Sequence, residues 1–235
     1  MQQEAIQQKE LQKGMKEAIP IVLGYLPLGF AFGVLAIETG MSVAQATMMS
    51  VLCFTGAGQY IAIGIMQAGG AMITIIMANV LVNLRYLLFS TSTVPFLKDR
   101  VKPLAASLLS YGLTDETYAV AMNHYQDHEA TASYMAGLNL TSHLGWIGST
   151  LLGAVLGGFI PDTDRLGLGF ALPAMYICLL VMMIKRRTDV FVAVFTAVVC
   201  LIIGFLIPST MDNLSNIIIA TIIGATLGVI INGQH

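Results

Sequence analysis

Arg85 lies deep in an apolar stretch, N-V-L-V-N-L-R-Y-L-L-F over 79–89. A charged side chain at the centre of a membrane helix costs on the order of 2.5–3.5 kcal/mol on insertion scales, so it needs a partner or a wetted cavity. The opposite charge is available in L-T-D-E-T-Y over 113–118, where Asp115 and Glu116 fall near the centre of a second apolar window. Adjacent carboxylates point to different sides of a helix. One can pair with Arg85, which leaves the other to titrate or to meet a substrate amine. If 103–123 is one helix, Tyr111 and Tyr118 flank Asp115 on its own face. Asn79 and Asn83 sit one turn apart, and Tyr86 and Ser90 extend their face, whereas Arg85 projects about 200° from Asn83 at 100° per residue. One helix thus presents two polar surfaces, one for helix contact and one for a cavity.

A second constellation is T-G-A-G-Q-Y at 55–60. Gly56 and Gly58 loosen a helix and expose backbone donors and acceptors, and the ends of broken membrane helices bind the charged groups of small substrates. Thr55 and Gln59 add side-chain polarity to the same spot. Tight helix packing accounts equally well for two nearby glycines. Weaker candidates are Asn139, Thr141, Ser142, His143 and Trp146, which could line a pathway or join helices. His124 and His128 have the i,i+4 spacing of a zinc site with Glu129 nearby, but no fourth ligand is in view, and a solvated external loop is the simpler reading. Glu38 reads as an interfacial charge.

The elements that must position these groups are membrane helices. Of the 235 residues, 56% are hydrophobic and 10% charged, against roughly 25% charged in ordinary soluble domains, and mean hydropathy is +0.78. The 23 glycines suit close helix–helix contact in a bilayer. A helix needs about 20 apolar residues to span, and eight segments approach this: about 18–38, 43–68, 70–94, 103–123, 132–160, 166–185, 189–207 and 213–232. Residues 1–17 are polar and read as a cytoplasmic amphipathic tail, and 18–235 as a single membrane domain. The predicted class is all-α, a polytopic membrane helix bundle. Cys53, Cys178 and Cys200 sit in apolar runs without C-x-x-C spacing and read as small core residues.

Lys and Arg set the direction. They cluster at Lys9, Lys13 and Lys16, at Lys98, Arg100 and Lys102, and at Lys185, Arg186 and Arg187. Eight plain spans with the N-terminus inside push the middle cluster outside. All three clusters fall inside if 43–68 and 166–185 each enter and leave on one side, which a broken segment can do where its backbone lines a protein-enclosed cavity. The 43–68 segment carries T-G-A-G-Q, and 166–185 carries G-L-G at 167–169 and Pro173. Residues 18–123 and 132–232 would then be inverted halves around a midplane site.

Five stretches resemble one family in order along the chain: A-I-P-I-V-L-G-Y-L-P-L-G-F-A-F-G (18–33), F-T-G-A-G-Q (54–59), N-L-R-Y-L-L-F (83–89), L-T-D-E-T-Y-A (113–119) and F-A-L-P-A-M (170–175). They are similar to the AzlC family, the large subunits of branched-chain amino acid exporters. The resemblance implies export of valine, leucine, isoleucine or toxic analogues such as azaleucine. It also implies a small AzlD-type membrane partner of about four helices. The family pattern N-x-R-H-x-L-Y is departed from at Tyr86 and Phe89, which removes an imidazole beside Arg85 and leaves more of any proton handling to Asp115 and Glu116.

Several function classes are excluded or disfavoured. No G-x-x-x-x-G-K-[ST] phosphate loop is present, so driving force would come from the membrane potential or a proton gradient. A net charge of −2 with no basic stripe argues against nucleic-acid binding. No cofactor or metal is expected, nor an enzyme, since no nucleophile–base pair stands in an obvious motif. The expected setting is the cytoplasmic membrane, as a multi-pass subunit that could form higher oligomers. The competing reading is a channel-like or structural subunit with a static Arg–Asp pair.

Overall fold

In the computed structural model the described residues are 2–157, 186–208 and 215–232, with isolated positions between 159 and 184. Their regular elements are all helices, and the chain divides into two units, 1–175 and 176–235. Among the described residues three helices are long and apolar enough to cross a membrane, Glu4–Glu38, Met72–Leu97 and Arg187–Leu206. The expected all-α membrane bundle is what these elements make.

The first unit is built on α1 (Gln2–Glu38) and α7 (Ala132–Gly157). Small residues let their backbones meet. Gly14 abuts the Tyr134 carbonyl, Gly137 that of Leu11, Gly33 that of Thr150 and Gly153 that of Phe30. Residue numbers rise together along this seam, so α1 and α7 run parallel. Phe32, Tyr134, Met135, Leu138 and Trp146 are fully enclosed beside it. Residues 2–17 are helical and run without a break into the rest of α1.

Segment 43–68 is broken, as the glycines suggest. A capping box, Ser42 with Gln45, starts α2 (Val43–Leu52), and α3 (Ala57–Gln67) follows after a four-residue turn. Gly56 occupies φ 43° there, a left-handed conformation that a side chain disfavours. The break is at 53–56, so Gly58 and Gln59 belong to α3. Gln59 Nε2 donates to Ser50 Oγ at 2.9 Å. Nine residues of continuous helix would hold these positions about 13 Å apart, so the chain has doubled back. The arms are 10 and 11 residues long, about 15 Å each. That is half of a hydrocarbon core about 30 Å thick. This is a re-entrant hairpin entering from the end where α1 finishes.

Helix α4 (Met72–Leu97) returns to the other end of the bundle. There the expectation of one span over 103–123 fails. The segment is α5 (Pro103–Ser110) and α6 (Asp115–Asp127), separated by a turn at 111–114. Thr114 is the physical reason: its side chain accepts the Thr117 amide hydrogen while its own amide donates to Thr117 Oγ1, a reciprocal cap that starts a new helix. Tyr111 therefore lies across a break from Asp115 and does not share its helical face. Contacts of α6 with α4 advance in parallel: Asp115 with Arg85, Tyr118 with Ser92, and Tyr125 with Phe96. Helix α6 thus descends to the end where α5 began, giving a second hairpin opposed to the first.

That geometry moves the 124–130 loop, expected outside. His124 meets Glu17 at 3.5 Å and Glu129 meets Arg100 at 3.6 Å, so this loop shares an end with the α1 N-terminus and the 98–102 cluster. The expected break in 166–185, and with it the second inverted half, falls outside the continuously described residues. In the second unit, α8 (Arg187–Leu206) and α9 (Ser215–Asn232) pack antiparallel through Val192 with Gly228 and Thr196 with Gly224. Cys53 and Cys200 are free thiols.

Candidate site between the hairpin tips

The two hairpins end in broken backbone, and a buried broken helix must find partners for its free carbonyls. At the end of α2, the Val51 carbonyl accepts from the Tyr111 hydroxyl at 2.8 Å, so one hairpin tip caps the other. The neighbouring Ser50 carbonyl lies 3.0 Å from His143 Nε2 of α7. Side chains complete the first tip: Ser50 Oγ bonds Thr150 Oγ1 at 2.8 Å, and Trp146 Nε1 donates to Gln59 Oε1 at 2.9 Å. Gln59 is fully buried, with its amide engaged at both ends.

Beside the tips is a cavity of about 560 Å³, lined by Thr55, Gly58, Gln59, Asn79, Asn83, Tyr86, Ser110 and Tyr111 among apolar neighbours such as Phe54, Ile75, Ile76 and Leu113. Small-molecule sites are commonly cavities of about 300–1,000 Å³, mostly apolar with a few placed polar groups. The Thr55 hydroxyl donates to Asn83 Oδ1 at 2.8 Å, tying α4 to the turn. A side chain at Gly58 would strike Asn79 Oδ1 and Thr55 Oγ1, so only glycine allows this approach. The α3 N-terminus opens on the same place. This end of the helix carries roughly half a positive charge; the Gly58 amide donates to Thr55 Oγ1 at 3.2 Å, and no acidic residue stands in the first turn. The α6 N-terminus differs in carrying Asp115 and Glu116 in its first turn.

The two faces of α4 are thereby assigned. Asn79, Asn83 and Tyr86 line the cavity, and Ser90 does not. Arg85 turns to α6, where Nη1 lies 2.8 Å from Asp115 Oδ2. Its Nη2 also donates to the Tyr86 hydroxyl at 3.3 Å, and its guanidinium sits 5.1 Å from that ring's centre. Tyr86 thus connects the ion pair to the cavity wall. Glu116 points elsewhere and accepts from the Tyr25 hydroxyl of α1 at 2.8 Å. Tyr25 lies 2.8 Å from Thr114 Oγ1 as well, which lets the threonine hydroxyl donate in turn.

Of the residues singled out by sequence, Thr55, Gly58, Gln59, Asn79 and Asn83 converge on the cavity, and Gly56 shapes its turn. Arg85 and Asp115 form a pair one side chain away. Glu116 is not brought to the cavity wall. Tyr25, Ser50 and Thr114 were not singled out, and Tyr111 was expected beside Asp115 rather than at the first hairpin tip. Their signal was a polar group in an apolar segment, weaker for hydroxyls than for charges. Among the described residues no group of three or more His, Cys, Asp or Glu is placed to hold a metal ion.

No solved structure matches the chain. Relatives include a membrane protein of Archaeoglobus fulgidus, 34% identical over 75% of this chain and 77% of its own length. The inner membrane protein YgaZ of Escherichia coli is 26% identical over 93% of this chain and 89% of its own. The branched-chain amino acid transport protein AzlC of Bacillus subtilis is 25% identical over 69% of this chain and 63% of its own. The family model described as AzlC protein matches residues 20–160. That stretch contains α7, both hairpins, the cavity between them and nearly all of the membrane part of α1, so the chain belongs to the AzlC family of membrane transport proteins.

Proposed function

We propose that this protein is a transporter subunit that exports branched-chain amino acids, valine, leucine, isoleucine or their analogues, together with a small AzlD-type membrane partner. The observation that carries the reading is an apolar cavity with a helix N-terminus at its wall whose positive end no acidic residue offsets. An aliphatic amino acid has the complementary form. Its carboxylate suits the positive end of α3 beside the 53–56 turn, and its hydrocarbon suits Phe54, Ile75, Ile76 and Leu113. Its ammonium group needs acceptors, which the side-chain carbonyls of Asn79 and Asn83 supply. The name of the Bacillus subtilis relative supports the same substrate class. Transport would draw on the proton gradient or the membrane potential.

The positive-inside rule supports placing the α1 N-terminus in the cytoplasm, because Lys9, Lys13, Lys16, Lys98, Arg100 and Lys102 gather at one end of the first unit. The first hairpin then enters from outside and the second from the cytoplasm. Such opposed half-helices suit alternating exposure of one central site.

The test is to load cells with leucine-, isoleucine- and valine-containing dipeptides and follow the free amino acid pools. Expression with the partner should lower them and raise efflux. Unchanged pools for every apolar amino acid would defeat the exporter reading. The direct Arg85–Asp115 contact favours a second reading, a channel-like or structural subunit held by a static pair. Transport that persists when both residues are neutralised would assign that pair to scaffolding.

A further inference from the structure

We propose that His143 is the residue that carries a proton through the transport cycle. Its Nδ1 takes up a proton from water while the cavity between the hairpin tips faces one side of the membrane. It returns that proton while the cavity faces the other. The proposal rests on the transporter reading above and adds the group that couples it.

His143 stands near the middle of α7 and touches both tips. Its ring stacks on Phe54 of the first turn, with centroids 4.4 Å apart and planes at 25°. It meets Tyr111 of the second turn edge-on at 5.6 Å. Phe54 and Tyr111 both line the cavity, and the imidazole stands behind them, one side chain from its wall. A carbonyl oxygen can only accept, so the 3.0 Å contact with the Ser50 carbonyl places hydrogen on Nε2. In the neutral ring Nδ1 is then the lone-pair nitrogen, and it has no hydrogen-bond partner among the described residues. Imidazole is also the side chain whose ordinary titration falls within pH 5–8.

A cation at this position has attractive partners. Ser50 and Val51 belong to the last turn of α2, whose free carbonyls form the negative end of that helix. The Phe54 face supplies an aromatic quadrupole. Titratable groups around the ring are Tyr111 of the second hairpin, in edge contact with it, and Cys53, next in the chain to its stacking partner Phe54. From α1 comes Tyr25, which packs on Phe54 at 6.0 Å and holds Glu116. Along α7 itself the nearest ring is that of Trp146, uncharged and packed against Tyr25. Capping of Ser50 accounts for Nε2 alone. A glutamine could donate the same bond without carrying a proton, and this difference gives the test.

Membrane vesicles containing wild type, H143Q or the surface control H128Q, each with the partner, are compared in two leucine assays. One follows equilibrium exchange without a gradient, and the other follows accumulation driven by an imposed pH gradient. H143Q should keep exchange within about twofold of wild type and lose accumulation at least tenfold, with H128Q unchanged. Accumulation by H143Q at the wild-type level overturns the proposal. So does loss of both activities in H143Q that elutes as a folded species, which would make His143 a positioning residue. Wild type that exchanges no amino acid refutes the transporter reading instead. A separate measurement needs no transport: nitrogen NMR of the purified ¹⁵N-histidine-labelled chain, with the His143 signals assigned by difference from H143Q. A hydrogen on Nε2 alone in the resting ring and a second on Nδ1 on acidification are expected, and a ring that never gains the second overturns the proposal.

Discussion

Neutralising the ends of the Arg85–Asp115 pair, singly as R85Q and D115N and then together, tests whether the pair holds the second hairpin to α4. At 2.8 Å the attraction between unit charges is about 6 kcal/mol for an effective dielectric near 20. Loss of hydration on both sides offsets much of this. The larger effect comes from leaving one charge behind, which costs about 3–5 kcal/mol when a buried partner is removed. The side chains are 23% and 14% exposed, and Tyr86 supports the guanidinium. The expected loss for each single variant is therefore about 3 kcal/mol, the lower end of that range. The double variant leaves two neutral amides and should recover about 2 kcal/mol relative to either single. Trp146, the one tryptophan in the chain, is buried between α1 and the first hairpin and reports unfolding in mixed micelles by its fluorescence. Losses that simply add in the double variant would refute the pairing argument. Leucine efflux from cells expressing the same variants with the partner shows whether the pair also serves transport.

Three further outcomes follow from the same contacts. G33V and G153V push a side chain into the backbone across the α1–α7 seam and should destabilise by about 1–3 kcal/mol or more, read by the same Trp146 signal; unchanged stability would contradict the parallel seam. In a cysteine-free background, K98C and D127C should label from one side of the membrane and G69C from the other, whereas labelling of D127C from the Gly69 side sinks the second hairpin. His124, at the bundle end beside Glu17, has its pKa lowered by burial and by Lys13, with Glu17 opposing. The unfolded chain therefore binds this proton more readily, and the stabilisation present above about pH 6.5 declines as the pH falls through the folded value. H124Q should flatten the stability profile between about pH 7 and pH 5, and an unaltered acid limb would remove His124 from the cause.

The membrane class was legible because hydropathy is a sum over residues and survives any error in backbone geometry. The first break was legible too, since two glycines around 55–59 give a backbone signal. The second was hidden by the same averaging: Leu108, Leu109, Leu113 and Tyr118 keep the 103–123 window apolar while Thr114 resets the helix inside it. A capping threonine followed by Asp115 and Glu116 is a readable helix start, but a 100° wheel drawn through it assumes that no start is there. That assumption put Tyr111 on the face of Asp115 and sent the 124–130 loop to the wrong end. The Asn79–Asn83 surface was separable from Arg85 by angle alone. Which surface met the cavity depended on where α6 returns, and that is set by tertiary contact.

The first hairpin is completed by residues made long after it. Gln59 depends on Trp146, 87 positions later, and Ser50 on Thr150, 100 positions later. At about 5–20 residues per second of synthesis, Gln59 waits roughly 4–17 s before the indole that will bond it has been made. During that interval a hairpin with a polar tip lacks the wall that lets it stay in a bilayer. Its biogenesis therefore needs either delayed insertion until α7 has been synthesised or temporary shelter from the insertion machinery.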